Sequence, residues 1–308
     1  MPPAMFDEIV GRLTPRLTRR TTNWREPLSP GLKVALTLRH LASGVCLAIV
    51  HEYLAEQMTL ATTEAGWRHL ADEWYRKWNF PHTIGAVDGK HVACKAPPNS
   101  GSEFYIYKGF FSIILLGVVS SDYKFIWADV SGNGSSSDAH IYNHSDLQAG
   151  LENGDLLGWP HPDPLPNDTQ DVPYILLGDD AFSLRTHMMK PYGAKNLTRE
   201  ERIFNYRLSR GRRVVENAFG ILANRFQVLL TTMSHHPENV RLIVKACILL
   251  HNVMRTRYPV TQNRLVDNQG APNRASKDGK KQRNLIKQWI NSPAGSVPWQ
   301  DRMHNKIK

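Results

Sequence analysis

Ile84-Gly85-Ala86-Val87-Asp88-Gly89-Lys90-His91-Val92-Ala93-Cys94 is where the hydrophobic period of the chain changes. Before it, apolar residues recur at helical spacing; from here they run as a strand, residues 84–94. A carboxylate sits in the middle of that strand. Buried alone, Asp88 would cost on the order of several kcal/mol. It must be paired, exposed by a bend, or bound to a cation. Residues 110–120, rich in branched and aromatic side chains, read as a second strand. Residues 124–130 read as a third, joined by a short turn at Ser121-Asp122. Gly132-Asn133-Gly134 breaks the chain, and Ser137 is placed to cap a helix through Leu147.

Further on, residues 153–173 are rich in proline and aspartate and read as a long loop. Residues 174–177 form a short buried strand. A long helix is expected over 197–226, with Val215, Ala218, Phe219, Leu222 and Phe226 on one face. Residues 227–232 read as a last strand and 237–257 as an amphipathic helix. Three strands with short connections make an antiparallel meander, and the later strand–helix alternation adds strands in parallel. The expected fold is α/β, a mixed sheet flanked by helices.

Upstream, residues 1–80 read as helical. Phe6, Ile9, Val10, Leu13 and Leu17 fall at helical spacing, and Ser29-Pro30 pairs an N-cap with a proline at the first helical position. Residues 45–58 and 64–78 continue the pattern. Trp67, Leu70, Ala71, Trp74 and Trp78 make the apolar stripe of a packing face. Pro81 closes this region. Beyond Pro259 the chain turns polar, except for a short amphipathic turn at 285–290. Three parts follow: a helical N-terminal region, 1–80; an α/β domain, 81–258; and a basic, flexible tail, 259–308.

The formal charge is +10, from 38 basic and 28 acidic residues. It is unevenly spread: residues 1–40 carry +4, residues 259–308 carry +7, and the body between is near neutral. Basic ends on a neutral body suit a polyanion such as nucleic acid, or serve only as solvated tails. No apolar run approaches the roughly 18 residues of a membrane span. No secretory leader is expected at the N-terminus. Cys46, Cys94 and Cys247 are odd in number and far apart, which argues against a disulfide framework or a zinc site. A reducing compartment is expected.

Three carboxylates invite chemistry. Asp88 interrupts a strand. Asp179 follows Tyr174-Ile175-Leu176-Leu177-Gly178, at the end of a buried strand, where α/β sheets place ligands. Glu216 lies beside the apolar face of the long helix. Together they could hold hard cations, which take oxygen ligands. Taken singly, Asp88 fits a turn or edge, Asp179 a cap, and Glu216 a pair with Arg212 or Arg213. Asp179 is preferred to Asp180 because it directly follows strand and glycine. Lys90, Lys95 and Lys108 lie around the first acid, and Arg207, Arg210, Arg212 and Arg213 crowd the helix before Glu216. They read as phosphate contacts or as plain surface charge. His91 and His251 read as structural.

Ile84 to His91, Tyr107-Lys108-Gly109-Phe110-Phe111-Ser112, Gly134-Ser135-Ser136-Ser137-Asp138-Ala139 and Leu177-Gly178-Asp179-Asp180-Ala181-Phe182 appear in this order. After them come Lys190-Pro191-Tyr192, Phe204-Asn205-Tyr206-Arg207-Leu208-Ser209-Arg210, Val215-Glu216-Asn217-Ala218-Phe219-Gly220 and Leu250-His251-Asn252. The set, spanning about 74–254, resembles the PIF/Harbinger transposase family, which includes the harbinger transposase-derived nucleases. The resemblance implies an RNase H-like fold for 81–258 and a DDE triad at Asp88, Asp179 and Glu216. It implies a metal-dependent nuclease or transposase that cleaves DNA phosphodiesters with two Mg²⁺ or Mn²⁺ ions and, in the transposition case, joins the freed end to target DNA. DNA contacts are expected from Lys90, Lys108, Arg207, Arg210, Arg212 and Arg213. Asp138 is either a secondary ligand or a helix-cap acid. The family relies on a Myb-like partner for DNA binding and nuclear entry, so the nucleus is the expected location. Lys277, Lys280, Lys281 and Arg283 form either an import or DNA-contact patch or a solvated tail. Relatives carry a helix-turn-helix after 41–44; here the flanking segments run together, so that element is expected to be lost. A domesticated, non-catalytic DNA- or protein-binding factor on the same fold is the alternative.

Overall fold

The computed structural model of the chain describes residues 3–18, 29–35, 58, 60–194, 196–257 and 276–300. All but the last residue of the helix expected over 45–58, the junction at 41–44 and residues 259–275 lie outside the described residues. Among those described, Cys94 and Cys247 are free and buried.

The N-terminal region opens with helix α1, Pro3–Leu17, whose Met5, Ile9, Leu13 and Leu17 enter the core. Arg257 pairs with Glu8 and ties α1 to the end of the helix over 237–257. Residues 30–35 are helical, and Ser29 caps them by accepting from Leu32 N–H. Helix α2, Glu64–Trp78, starts at Thr63, which accepts from Gly66 N–H.

Three strands follow: β1, Thr83–Ala93; β2, Ser112–Val119; and β3, Phe125–Asn133. They pair as the antiparallel meander the sequence suggests. β3 runs through Gly132-Asn133 instead of ending before them. Ser137 caps helix α3, Asp138–Asn143, and Ser145 caps a second helix, α4, Asp146–Asn153. The single helix expected here is therefore two, because Ser145 re-caps the chain after His144. A separate ribbon of β4, Asp163–Pro164, and β5, Asp171–Val172, lies in the proline-rich loop. Strands β6, Ile175–Leu177, and β7, Met188–Met189, then join β1 in parallel and complete a five-stranded sheet in the order β3-β2-β1-β6-β7.

Helix α5, Arg199–Arg225, begins with a capping box between Thr198 and Glu201. Residues 227–230 form a 3-10 turn instead of the expected strand; only Met233 bridges to β1, at Cys94. Helix α6 is Pro237–Arg257. Its Asn252 accepts from Phe125 N–H and donates to Phe125 O, at 2.9 and 2.7 Å, and so clamps β3. His251, buried beside it, bonds Tyr123 O; burial pushes its pKa down to about 3, which makes it structural.

The expected free tail is corrected over its second half. Residues 277–291 form helix α7, Lys277–Asn291, and Ile286, Trp289 and Ile290 are buried in the main core. The amphipathic turn at 285–290 is the reason, since burying those rings and branched chains outweighs the entropy of an open tail.

Side chains alternate across the sheet. Ile113, Leu115 and Val119 face the core under α5 and α6, while Ile114, Leu116 and Val118 face α3 and α4. On β1, Ala86 and Val92 face the α5 side. Asp88 falls on that same face by the period of two. This mixed α/β layering is the RNase H-like arrangement that the resemblance implies.

Candidate active site

β1 pairs with β6 only as far as Ala86, which lies opposite Leu177 and is where pairing with β2 begins. Beyond that point β2 continues along one edge, and the other edge stays open until Met233 meets Cys94. Two residues past the last β1–β6 pair come Asp88 on one strand and Asp179 on the other. The strand order switches direction here, and α/β sheets leave a crevice at such points. A cleft of about 860 Å³ opens at this edge. Its lining includes Asp88, Asp138, Asp179, Arg212 and Glu216, with Lys90 and Lys108. The three acids named from sequence thus share one cavity.

Asp88 accepts from Gly89 N–H at 2.9 Å and from Arg212 Nη1 at 3.3 Å. Burial pushes its carboxyl up to about 7; Arg212 pulls the other way, while the Asp179 and Asp138 carboxylates add to the rise. Asp179 Oδ1 accepts from Ala181 N–H at 2.8 Å, which turns the chain away and leaves the carboxylate on the cleft wall. Asp180 does not line the cleft; it is its backbone carbonyl that meets Lys190 Nζ, at 2.9 Å. Glu216 pairs with Arg212 one helical turn before it, as the simplest reading of the helix expects. Arg212 bonds Asp88 with its other amino group, however, so one guanidinium bridges two acids from α5 and β1.

Asp138, which the sequence leaves between a secondary ligand and a helix-cap acid, lines the same cleft. It occupies the first turn of α3, behind the Ser137 cap. A side chain at Gly89 would collide with its carboxylate, so Gly89 is the opening through which Asp138 reaches the acids. Burial, then Asp179, pushes its pKa up to about 6, with Lys108 opposing. Ser137-Asp138 in the Gly-Ser-rich motif carried the signal, but its cap role explained it fully from sequence alone.

The basic residues divide. Lys90 and Lys108 line the cleft, and burial lowers the pKa of Lys90. Arg207 does not serve there. It is 0% exposed and donates to Gly295 O and Asn79 O, locking α5 to two distant loops. Arg210 stands against the Trp299 and Trp78 rings and donates to Asn79 Oδ1. Neither Arg210 nor Arg213 lines the cleft. Arg207 is corrected from a phosphate contact to a packing residue, because a guanidinium buried among carbonyls cannot meet DNA, while Arg210 is half-buried and stands outside the cleft. Arg283, from the expected basic patch, is likewise turned inward. It sits 3.7 Å over the Tyr192 ring, whereas Lys277, Lys280 and Lys281 stay exposed.

The donor set is all carboxylate, which suits a hard divalent cation such as Mg²⁺ or Mn²⁺. Among the described residues no three acids, histidines or cysteines stand close enough to hold one ion. Arg212 supplies positive charge between Asp88 and Glu216. No helix of the described residues is long and apolar enough to cross a membrane.

Residues 87–252 match the family described as DDE superfamily endonuclease. The chain is 30% identical to HARBI1 of Bos taurus over 227 residues, 71% of this chain and 60% of that protein. It is 29% identical to HARBI1 of Homo sapiens over 226 residues, with the same coverage. Both are named as candidate nucleases. It is 27% identical to the ALP1-like protein of Arabidopsis thaliana over 276 residues, 81% of this chain and 67% of that one. The chain thus spans about 60% of the length of these HARBI1 relatives. No solved structure matches it significantly.

Proposed function

The chain belongs to the DDE superfamily endonucleases, and from that membership we propose that it cleaves DNA phosphodiester bonds with divalent cations held by Asp88, Asp179 and Glu216. The observation that carries this is the convergence of those acids, with Asp138, on one cleft at the open edge of β1. Two Mg²⁺ or Mn²⁺ ions there would supply an activated water and a stabiliser for the leaving oxygen. The chain's own residues do the rest. Lys90 and Lys108 hold phosphate oxygens on the cleft wall and set register without reading bases. The backbone turn at Ala181 fixes the Asp179 carboxylate, and Gly89 lets Asp138 stand against Asp88. In the transposition case the freed 3′-hydroxyl is joined to a second DNA. A nuclear location and a Myb-like partner that supplies sequence recognition belong to the same proposal; they are supported by the motif resemblance and the basic ends.

One observation favours the second reading, a non-catalytic DNA-binding factor. Arg212 bridges Asp88 and Glu216, so one fixed positive charge already stands among the acids where a cation would bind. Glu216→Gln separates the two. It keeps shape and helix propensity and removes one negative charge. DNA cleavage in Mg²⁺ or Mn²⁺ should collapse by orders of magnitude, while metal-free DNA binding persists. Unchanged cleavage would remove Glu216 from the site. A purified chain that never cuts DNA, with or without a Myb-like partner, would favour the binding factor.

A further inference from the structure

We infer that the turn at residues 105–108 is a stacking platform for an unpaired nucleobase beside the scissile phosphate, with Tyr107 as its surface. This rests on the nuclease reading above and names the form of DNA that the cleft takes. Five large apolar side chains are exposed among the described residues, and three of them line this one cleft: Tyr107 at 89%, Leu230 at 63% and Tyr105 at 45%. An aromatic ring so exposed gains nothing from the fold. It is available to a ligand.

The turn that carries it is well fixed. Ile106 N–H donates to Phe110 O at 2.9 Å, and Gly109 N–H donates back to Ile106 O at 3.0 Å. Gly109 has φ +87, a conformation that side chains disfavour, so the turn closes there because the residue is glycine. Ile106 is buried beneath, the Tyr105 ring packs edge-on against Phe111 at 5.0 Å, and Ser112 N–H bonds Phe104 O at 2.8 Å. The backbone at Tyr107 is thus held in place, and a ligand would meet a preset surface. Lys108 Nζ lies 5.6 Å from the Tyr107 ring centroid.

The chemistry of the wall selects the occupant. Carboxylates deep in the cleft meet phosphate only through cations, and Lys90 and Lys108 meet phosphate directly. Flat apolar rings beside those lysines match the one part of a nucleic acid that is neither charged nor strongly hydrated, the face of a base. A paired, stacked duplex hides those faces. A single strand, a flap or a melted end exposes them, and rings accept any base because every base has a π-face. Lys108 is placed to hold the backbone of the same nucleotide whose base lies on Tyr107. A wall that mixes acids, lysines and tyrosines suits a polyanion bearing rings better than an apolar protein surface.

The test uses the full chain in metal-free buffer, so that nothing is cut, with two duplexes of one sequence. One is fully paired; the other carries a short unpaired flap containing 2-aminopurine. The chain should bind the flapped duplex about tenfold more tightly than the paired one and quench the 2-aminopurine. Tyr107→Ala should lose both the preference and the quenching while keeping its affinity for the paired duplex. Tyr107→Phe should retain all three. Equal affinity of the unsubstituted chain for both duplexes would overturn the inference and leave the nuclease reading intact, as would a preference that survives in Tyr107→Ala. Failure to bind either duplex would overturn the nuclease reading and this inference together. If Tyr107→Ala instead abolished self-association in sedimentation and left the preference untouched, the ring would be a protein contact.

Discussion

Asp88 is the residue whose charge state is least settled by its surroundings. Its carboxyl is raised to about 7 in the folded chain, against about 4 for an unfolded aspartate. Between those values the folded state binds the extra proton, so stability falls as pH rises through that window and then levels off. Asp88→Asn removes the titration. At pH 8 the variant should be more stable than the parent by on the order of 1–3 kcal/mol, and the gap should shrink toward pH 5. Urea denaturation at the two pH values in metal-free buffer checks this; a gap independent of pH would mean that the carboxyl is not raised. Divalent cations should reverse the ranking, since they bind the ionised form that Asn cannot provide. The same scale shows what the sequence could and could not yield. Asp88 stood out because a charge inside an apolar strand demands a partner. Arg207 misled because a basic residue in an arginine-rich helix looks like surface. Its partners, Gly295 and Asn79, lie 88 and 128 residues away, and no local pattern points to them.

At the scale of elements, boundaries followed the caps. Thr63 and Thr198 set the starts of α2 and α5, and the change from helical to strand period set β1. The segment at 227–230 failed because Val228, Leu229 and Leu230 form an apolar run without alternation, which fits a strand or a turn equally. Two of them are buried, but Leu230 is turned out to the cleft. α7 was half-seen: its apolar stripe was visible, but its docking site on α5 was not. Two substitutions probe these contacts. Arg207→Met removes the donors to both carbonyls and should lower stability by about 2–3 kcal/mol, with the DNA affinity of the folded protein unchanged. A selective loss of DNA affinity would return Arg207 to the interface. Trp289→Ala should cost about 3–5 kcal/mol, measured by chemical denaturation. A cost under about 1 kcal/mol would mean that α7 is an appendage.

For the whole molecule, the proposed function makes charge the factor that decides how DNA would first be met. The body is near neutral and the net +10 sits largely toward the two ends, so binding should rest on counterion release and fall steeply as salt rises. A titration from low to physiological salt should show a log–log slope of several units for plain duplex. A flat response would mean that base contacts dominate. Removing the stretch after Arg257 is the wrong way to strip the positive charge, because it takes Trp289 and Ile290 out of the core. Replacing the exposed Lys277, Lys280 and Lys281 with Gln is the clean version. The burial of α7 also bears on how the protein is made. On the ribosome the acids emerge in the order Asp88, Asp138, Asp179, Glu216, and the helix that closes the core emerges after all of them. Domains fold as units during synthesis, so a chain stalled before residue 289 would hold every acid of the site without a finished fold. Translation itself then holds the assembly of the acid cluster back until α7 has been made.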